Sequence, residues 1–481
     1  MQSSFYLERE KKIPIVKEYD VIIIGGSQSG VAAAVCAARQ GVKVLLVEKN
    51  SFLGGQSITS LVLQYEKSAF MSSKGYLVTK GIAREILDKV VQKGTSDRIW
   101  EDPLLYRHRD GDAWLDPEAI KQTLLEMCLE AGVDLLFDSL CIDVMMTTGN
   151  TPRVEGIIVQ NRSGRQALKA RIVVDASAFL EVVWYAMEDE GILVEKVEDR
   201  MTPGWFTEFR GIDSREFIDY IINNNVCSGY PSLKEPETVW RHYETGRFMI
   251  YHGFANALDK ADDEGILDDW PEEMNLPFRL TVKSWNIPPI INDRWCMVMD
   301  QRSKDALDAW EMSQADVDRQ VIDWKLLKIF RFLPGWENAY ISRTSIHLGL
   351  RDTRRLKAVT MLSRKDVFEP DHDRQDAIGF SDGHDAGRNR LQRPYPIPFG
   401  ILVPEKLDGV ICCSRALGVS DRTALDAHRG LTPTMVVGQA AGTAAALAAL
   451  DRVEVRNVDV QKLRAILKEN GVILEPRKVE D

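Results

Sequence analysis

The sequence predicts an α/β fold: a Rossmann-type domain with an inserted β-meander, followed by a mixed α+β domain that covers it. Three observations carry this. Residues 19–48 read as strand, glycine-rich turn, helix and second strand; residues 133–175 break into short apolar runs separated by turns; and residues 185–395 mix amphipathic helices with short strands and carry no such turn. The chain has 481 residues, 44% of them apolar, which is enough for two or three packed units. A net charge of −11 leaves no basic footprint, so nucleic acid and an anionic membrane are not expected partners.

Tyr19 to Gly25 is a run of β-branched residues suited to a strand buried on both faces. Gly25-Gly26-Ser27-Gln28-Ser29-Gly30 follows, then an Ala-rich helix from Val31 to Gln40 and a second strand from Lys43 to Val47. Glu48 ends that strand 18 residues beyond Gly30, near the spacing at which a carboxylate meets the ribose of a dinucleotide. Gly25 permits the tight turn, Gly30 lets helix and strand approach, and the helix N-terminus offers free N–H groups to a pyrophosphate. The middle glycine of the G-x-G-x-x-G pattern is Ser27, a small side chain that still permits close approach. Dinucleotide binding is the functional reading, and a bare packing turn the structural one.

The runs Val133–Asp138, Cys141–Met146, Val154–Gln160 and Ala167–Asp175 form the predicted meander, ending in a buried strand that points back to the turn. In the second domain, Ser214–Asn224, Glu237–Arg247 and Gln314–Phe332 read as helices, with Arg279–Trp285 and Arg294–Met299 extended. Of 11 tryptophans, nine lie from Trp184 to Trp336, as core or as an aromatic face over a ligand. The run Met435–Leu450 is 16 residues, contains Gln439, and is expected to be too short and polar to span a bilayer. The N-terminal residues show no apolar signal segment. Seven scattered cysteines without C-x-x-C make a disulfide framework or a metal site unexpected and a cytoplasmic location the expectation.

After Glu48, the stretch Lys49-Asn50-Ser51-Phe52-Leu53-Gly54-Gly55-Gln56-Ser57 resembles the second motif of the FAD-dependent oxidoreductases built on the glutathione-reductase-like Rossmann fold. Leu115-Asp116-Pro117-Glu118, Leu333-Pro334-Gly335-Trp336, Leu348 to Arg355, Pro396 to Val410 and Gly438-Gln439-Ala440-Ala441-Gly442 are similar to further elements of that family. The resemblance implies an FAD-binding domain in two parts, 18–184 and 396–451, a substrate or cap domain over 185–395, and a C-terminal helical tail over 452–481. It implies that Gly25, Ser27, Gln28, Ser29, Gly30, Glu48, Lys49, Gly54, Gly55, Gln56, Ser57, Ala176, Ser177, Arg415, Gly438 and Gln439 contact the cofactor. A helix over 438–450 is expected to aim its N-terminus at the flavin. Where the family has Asp-Ala-Thr-Gly-Asp-Gly-Asp this chain has Asp175-Ala176-Ser177-Ala178-Phe179-Leu180-Glu181, and Cys413-Ser414-Arg415 replaces Ala-Gly-Arg. With Ser27, three glycine positions have become Ser or Ala.

For proton transfer, histidine is the first suspect near neutral pH. His384, in a polar loop that resembles a D-x-H element, His347, next to the Arg351 segment, and His428 are the candidates, each against a structural reading. Arg422 stands where the family often has a histidine and is expected to bind an anion or to stabilise a developing oxyanion. Arg351, beside Arg354 and Arg355, is expected to hold a carboxylate or phosphate, against a set of structural ion pairs. No second G-x-G-x-x-G occurs, so a dedicated NAD(P)H domain is not expected. The leading reading is an oxidoreductase passing hydride between a small organic substrate and FAD, with oxygen or a redox partner as electron acceptor. A flavin isomerase or lyase without net redox, and a non-catalytic protein with a degenerate cofactor site, are the alternatives. A homo-oligomer remains an option.

Overall fold

The computed structural model describes residues 6–65, 70–72, 74–93, 113–147, 151–194, 200–228, 235–244, 249–251, 254–270, 282–286, 295–300, 305–383 and 391–478. Among these, a seven-stranded sheet forms the first layer. Its parallel part runs Asp134–Leu136, Val44–Val47, Ile15–Ile24 and Gly164–Asp175, with Val410–Cys412 pairing the end of the last strand. The strands Leu140–Thr147 and Arg153–Asn161 extend the sheet antiparallel from Gly164–Asp175, as the meander requires. The buried half of the first strand, Val21 to Ile24, has no polar side chain, which suits a strand covered on both faces.

Two helices pack on this sheet almost backbone to backbone. The Gln28–Ala38 helix is nearly all Gly, Ala, Ser and Val on its buried surface, and the Leu431–Asp451 helix lies against it. Gly438 and Gly442 make the contact: a Cβ on either would sit 2.3 Å from the Ser29 carbonyl oxygen and 2.0 Å from that of Ala33. The second helix starts at Leu431, seven residues before the expected 438, and its 21 residues are long and apolar enough to cross a membrane by length and composition. That corrects the expectation drawn from the 16-residue run. Thr432 to Ala449 are all buried in the core.

The covering layer is a six-stranded antiparallel sheet in the order Cys227–Ser228, Met249–Tyr251, Val282–Asn286, Trp295–Asp300, Gly204–Arg210, Tyr340–Thr344. Helices Ser214–Asn224, Pro236–Glu244 and Ala309–Phe330 accompany it. Its core is aromatic: Phe209, Phe217, Phe330 and Trp336 meet edge to face with ring centroids 5.2–5.7 Å apart. Trp205 is fully buried there, while Trp310 and Trp324 face solvent. No tryptophan whose side chain is described lines the cavity between the layers.

Candidate functional site

The glycine turn behaves as its spacing requires. Gly25 has φ +100°, and a Cβ on Gly30 would lie 1.9 Å from the Gly25 carbonyl oxygen, so neither position admits a side chain. Ser27, the replaced glycine, is the N-cap of the Gln28–Ala38 helix: its Oγ accepts from the Gly30 N–H at 3.3 Å and lies 2.9 Å from Ser29 Oγ. Its Cβ is accommodated because Gly55 stands opposite, where an added Cβ would approach it to 2.9 Å. The loop carrying Gly54 and Gly55 is tied down by the Gly54 N–H, which donates to the Gly26 carbonyl at 2.8 Å.

Glu48 both lines the cavity and builds it. One carboxylate oxygen accepts from the Gly26 N–H at 2.6 Å; the other accepts from the Asn50 N–H and side-chain amide at 2.9 and 2.7 Å. Asp175, at the end of its strand, accepts from the Ser177 N–H and hydroxyl at 3.0 and 2.6 Å and from the Val182 N–H at 2.9 Å. It thereby shapes the turn into the Glu181–Met187 helix. Burial raises the Asp175 carboxyl. Leu180 keeps a left-handed backbone, φ +53°, at a position where the resembled motif has glycine.

These loops form the floor of a cavity of about 460 Å³. Of the residues expected at the cofactor, it gathers Gly25, Ser27, Gln28, Ser29, Glu48, Lys49, Gly54, Gly55, Gln56, Ala176, Ser177 and Arg415. Gly30 lies beneath, in the helix-to-strand contact, and Ser57 sits behind Gln28, whose side-chain amide donates to its hydroxyl at 2.8 Å. Gly438 does not line the cavity but serves the helix contact. Gln439 does not line it either, since its side-chain oxygen accepts from the Ile82 N–H at 3.0 Å at the start of the Ile82–Gln92 helix. The helix end that does face the cavity is seven residues earlier: Leu431 and Thr434 line it, and Gly430 leaves the N-terminus without a side-chain cap.

The proposed chemistry residues separate more sharply. His428 is fully buried outside the cavity, with Nδ1 3.4 Å from the Tyr395 hydroxyl, and burial pushes it down to about 4, leaving a neutral core imidazole. Arg422 is the exposed first residue of the Arg422–His428 helix and does not line the cavity. Arg351 donates to the Thr202 carbonyl at 2.8 Å and stands outside the lining. His384 lies outside the described residues. His347 does line the cavity, from the covering layer.

The structure adds residues that the sequence did not single out. Arg354, three positions after Arg351, lines the cavity, its guanidinium 4.0 Å from the Trp184 ring centroid and donating to the Phe179 carbonyl at 3.1 Å. Asp316 faces His347, with Oδ2 3.9 Å from Nδ1, and its Oδ1 accepts from the Leu348 N–H at 3.2 Å and from Arg319 Nε at 3.3 Å. Arg319 is itself buried and reaches Asp323 at 3.4 Å. Arg429 and Glu181 also line the cavity; no local motif marks either.

The donor set fits a dinucleotide bearing a ring that gathers negative charge when reduced. The turn offers backbone N–H groups and no side-chain obstruction, and Glu48 lines the wall beside it. At the other end Arg415 is partly buried and pushed down to about 10, chiefly by desolvation and then by Arg429. Its Nη1 donates to Gln56 Oε1 at 2.9 Å, while its Nε has no hydrogen-bond partner within the protein; the Gln28 side-chain oxygen is likewise unpartnered. Orphaned buried polar atoms facing a cavity call for a ligand that completes them.

Comparison with known proteins agrees. A family model described as FAD dependent oxidoreductase matches residues 20–467. Among curated proteins, the urocanate reductase of Eggerthella lenta is 38% identical over 65 residues, covering 12% of this chain and 11% of its own. Digeranylgeranylglycerophospholipid reductase 2 of Methanothermobacter thermautotrophicus is 28% identical over 160 residues, 33% of this chain and 39% of its own. The matches thus span well under half the length of either relative. Among solved structures, a geranylgeranyl bacteriochlorophyll reductase-like protein from Thermoplasma acidophilum has TM-score 0.46 at 15% identity, covering 94% of this chain and 84% of its own. The myxobacterial chondrochloren halogenase has TM-score 0.47 at 14% identity, covering 94% and 79%. The family match, spanning nearly the whole chain, places this protein among the FAD-dependent oxidoreductases, enzymes whose cofactor is FAD.

Proposed function

We propose that this oxidoreductase passes a hydride between a small organic substrate and FAD, with His347 moving the accompanying proton under the control of Asp316. The observation that carries the reading is that His347 and Asp316 face the same cavity from the covering layer while the glycine turn forms its floor. FAD supplies the hydride chemistry when bound. The chain's own part is positioning and proton transfer. Asp316, fixed by the Leu348 N–H and Arg319, orients the imidazole, and the 56% exposure of the His347 side chain lets it exchange its proton with water. Arg415 and Arg429, with the uncapped N-terminus of the Leu431–Asp451 helix, make one end of the cavity positive and stabilise negative charge developing there.

The sequence holds one glycine fingerprint, so the reading has electrons arriving from the substrate and leaving to oxygen or a redox partner. The cysteines whose side chains are described, Cys36, Cys128, Cys141, Cys412 and Cys413, are buried thiols, which suits a reducing cytoplasm. The test is anaerobic: purified protein is mixed with a metabolite library and loss of the visible flavin band is followed. A bleaching substrate is expected, and His347→Gln should slow bleaching by about 100-fold or more with FAD content unchanged. Equal rates in the two proteins would remove His347 from the mechanism. Substrate conversion without bleaching and without an acceptor would replace the hydride reading with an isomerase or lyase.

A further inference from the structure

The Ala309–Phe330 helix is two-sided in a way that its role in the cavity wall does not explain. Its inner side, with Ala315, Arg319, Ile322, Asp323, Leu326 and Phe330, is buried. Its outer side carries Trp310, Val317, Val321 and Trp324, exposed at 88, 52, 49 and 63%. Scattered apolar surface residues are ordinary, but these four share one stripe. Positions 310, 314, 317, 321, 324 and 328 alternate spacings of four and three, reading Trp, Gln, Val, Val, Trp, Lys. That is the seam of a helix that pairs with another helix.

We propose that this seam is the interface with a second copy of the same chain, the two helices packing antiparallel about a two-fold axis between Val317 and Val321. A two-fold interface must be self-complementary. With the axis there, Val317 meets Val321 of the second copy and Gln314 meets its Trp324. Lys328 of one copy reaches the ring of Trp310 in the other, an ammonium over an indole face. Charge selects the direction. The acid Glu311 flanks the seam near the helix start and Lys325 near its end, so antiparallel packing sets each Glu311 beside the other copy's Lys325, at both ends of the interface. Parallel packing carries Glu311 and Lys325 of the two copies to opposite flanks of the seam, where neither meets an opposite charge. Asp318 is set beside its own copy near the axis, where its carboxylate already accepts from the Gln314 side-chain amide at 2.8 Å. Flanking acids on a chain of net charge −11 disfavour an anionic lipid surface as the occupant. The interface does not depend on the flavin chemistry proposed above.

Sedimentation equilibrium of the FAD-loaded full-length protein is expected to give a dimer at micromolar concentration. The double variant Val317→Glu with Val321→Glu, at positions outside the cavity lining, should weaken association by at least 100-fold while keeping its FAD. Direction is read by oxidation of mixed single variants. Glu311→Cys mixed with Lys325→Cys should cross-link above the wild-type background. Neither should cross-link alone, since equal positions lie at least about 18 Å apart along antiparallel helices. Three results would overturn the proposal: a monomeric wild type, including one that binds lipid vesicles through these tryptophans; a dimer that survives the double glutamate variant; or a mixture of Glu311→Cys with Lys325→Cys that cross-links no more than wild type, which means that the helices are not antiparallel in this register.

Discussion

Glu181 begins the Glu181–Met187 helix, lines the cavity and is partly buried, and its carboxyl is pushed up to about 7. Burial is the main cause and the buried Asp175 the next; Lys49 and Arg354 pull the other way and Glu48 adds to the rise. A raised acid binds its proton more tightly in the folded chain than in the unfolded one, where the value is about 4.3. Its contribution is therefore complete below about 4.3 and is lost as pH rises through about 7, an effect on the order of 3 kcal/mol. Urea unfolding at pH 5 and pH 8 should show wild-type stability falling across that window by a few kcal/mol more than in Glu181→Gln, which carries the neutral form throughout. Parallel behaviour of the two proteins would mean that Glu181 is ionised and compensated at pH 5. Its neighbour Leu180 shows a different trade. A left-handed leucine costs about 1–2 kcal/mol, but Leu180 is fully buried, and burying such a side chain returns about 1.5–3 kcal/mol. The motif's glycine is thus replaced without being mimicked.

At the scale of elements, the contact between the Gln28–Ala38 and Leu431–Asp451 helices sets the depth of the cavity floor. Gly442→Ala gains about 1 kcal/mol in helix propensity, but its Cβ would fall 2.0 Å from the Ala33 carbonyl oxygen, against backbone that cannot rotate away. The overlap wins. The variant should lose at least about 1–3 kcal/mol in denaturant unfolding, and a midpoint equal to or above wild type would show that the helices separate freely. This element also shows what the sequence withholds. The Ala-rich run is legible, yet the helix begins at Leu431, where Thr432, Pro433 and Thr434 interrupt the apolar pattern while Pro433 suits a first turn. That shift moves the cavity-facing end away from Gly438 and Gln439. Gly25 and Gly30 were legible because their constraint is local, a turn and a clash within six residues. Arg354 was not, because residues 349–354 follow neither the helix nor the strand period and nothing local tells which arginine turns inward. The pairing of Asp316 with His347 joins a helix to a loop 31 positions away, a contact that only the folded layers create.

Across the whole molecule, residues 347–354 stitch the two layers together at the cavity rim. The His347 N–H donates to the Thr59 carbonyl at 3.0 Å, the Gln56 side chain to the Leu350 carbonyl at 3.0 Å, and the Thr353 hydroxyl to the Ala178 carbonyl at 2.7 Å. Gly349 exchanges two backbone bonds with Gly204 at the start of the covering sheet. The loops of the cavity floor and the strand that begins the cover are thus separated by one short segment. A ligand that orders the loops must therefore stabilise the cover as well. FAD at one hundred times its Kd adds about 2.7 kcal/mol to the folded state. Two optical signals report the layers separately: near-ultraviolet dichroism from the cluster holding Trp205, Phe209 and Trp336 for the cover, and flavin fluorescence release for the floor. The expected result is coincident thermal midpoints that rise together as FAD is added. A dichroism transition that stays fixed while the flavin signal moves would show that the cover folds by itself, and that the 347–354 bonds join two independently stable units.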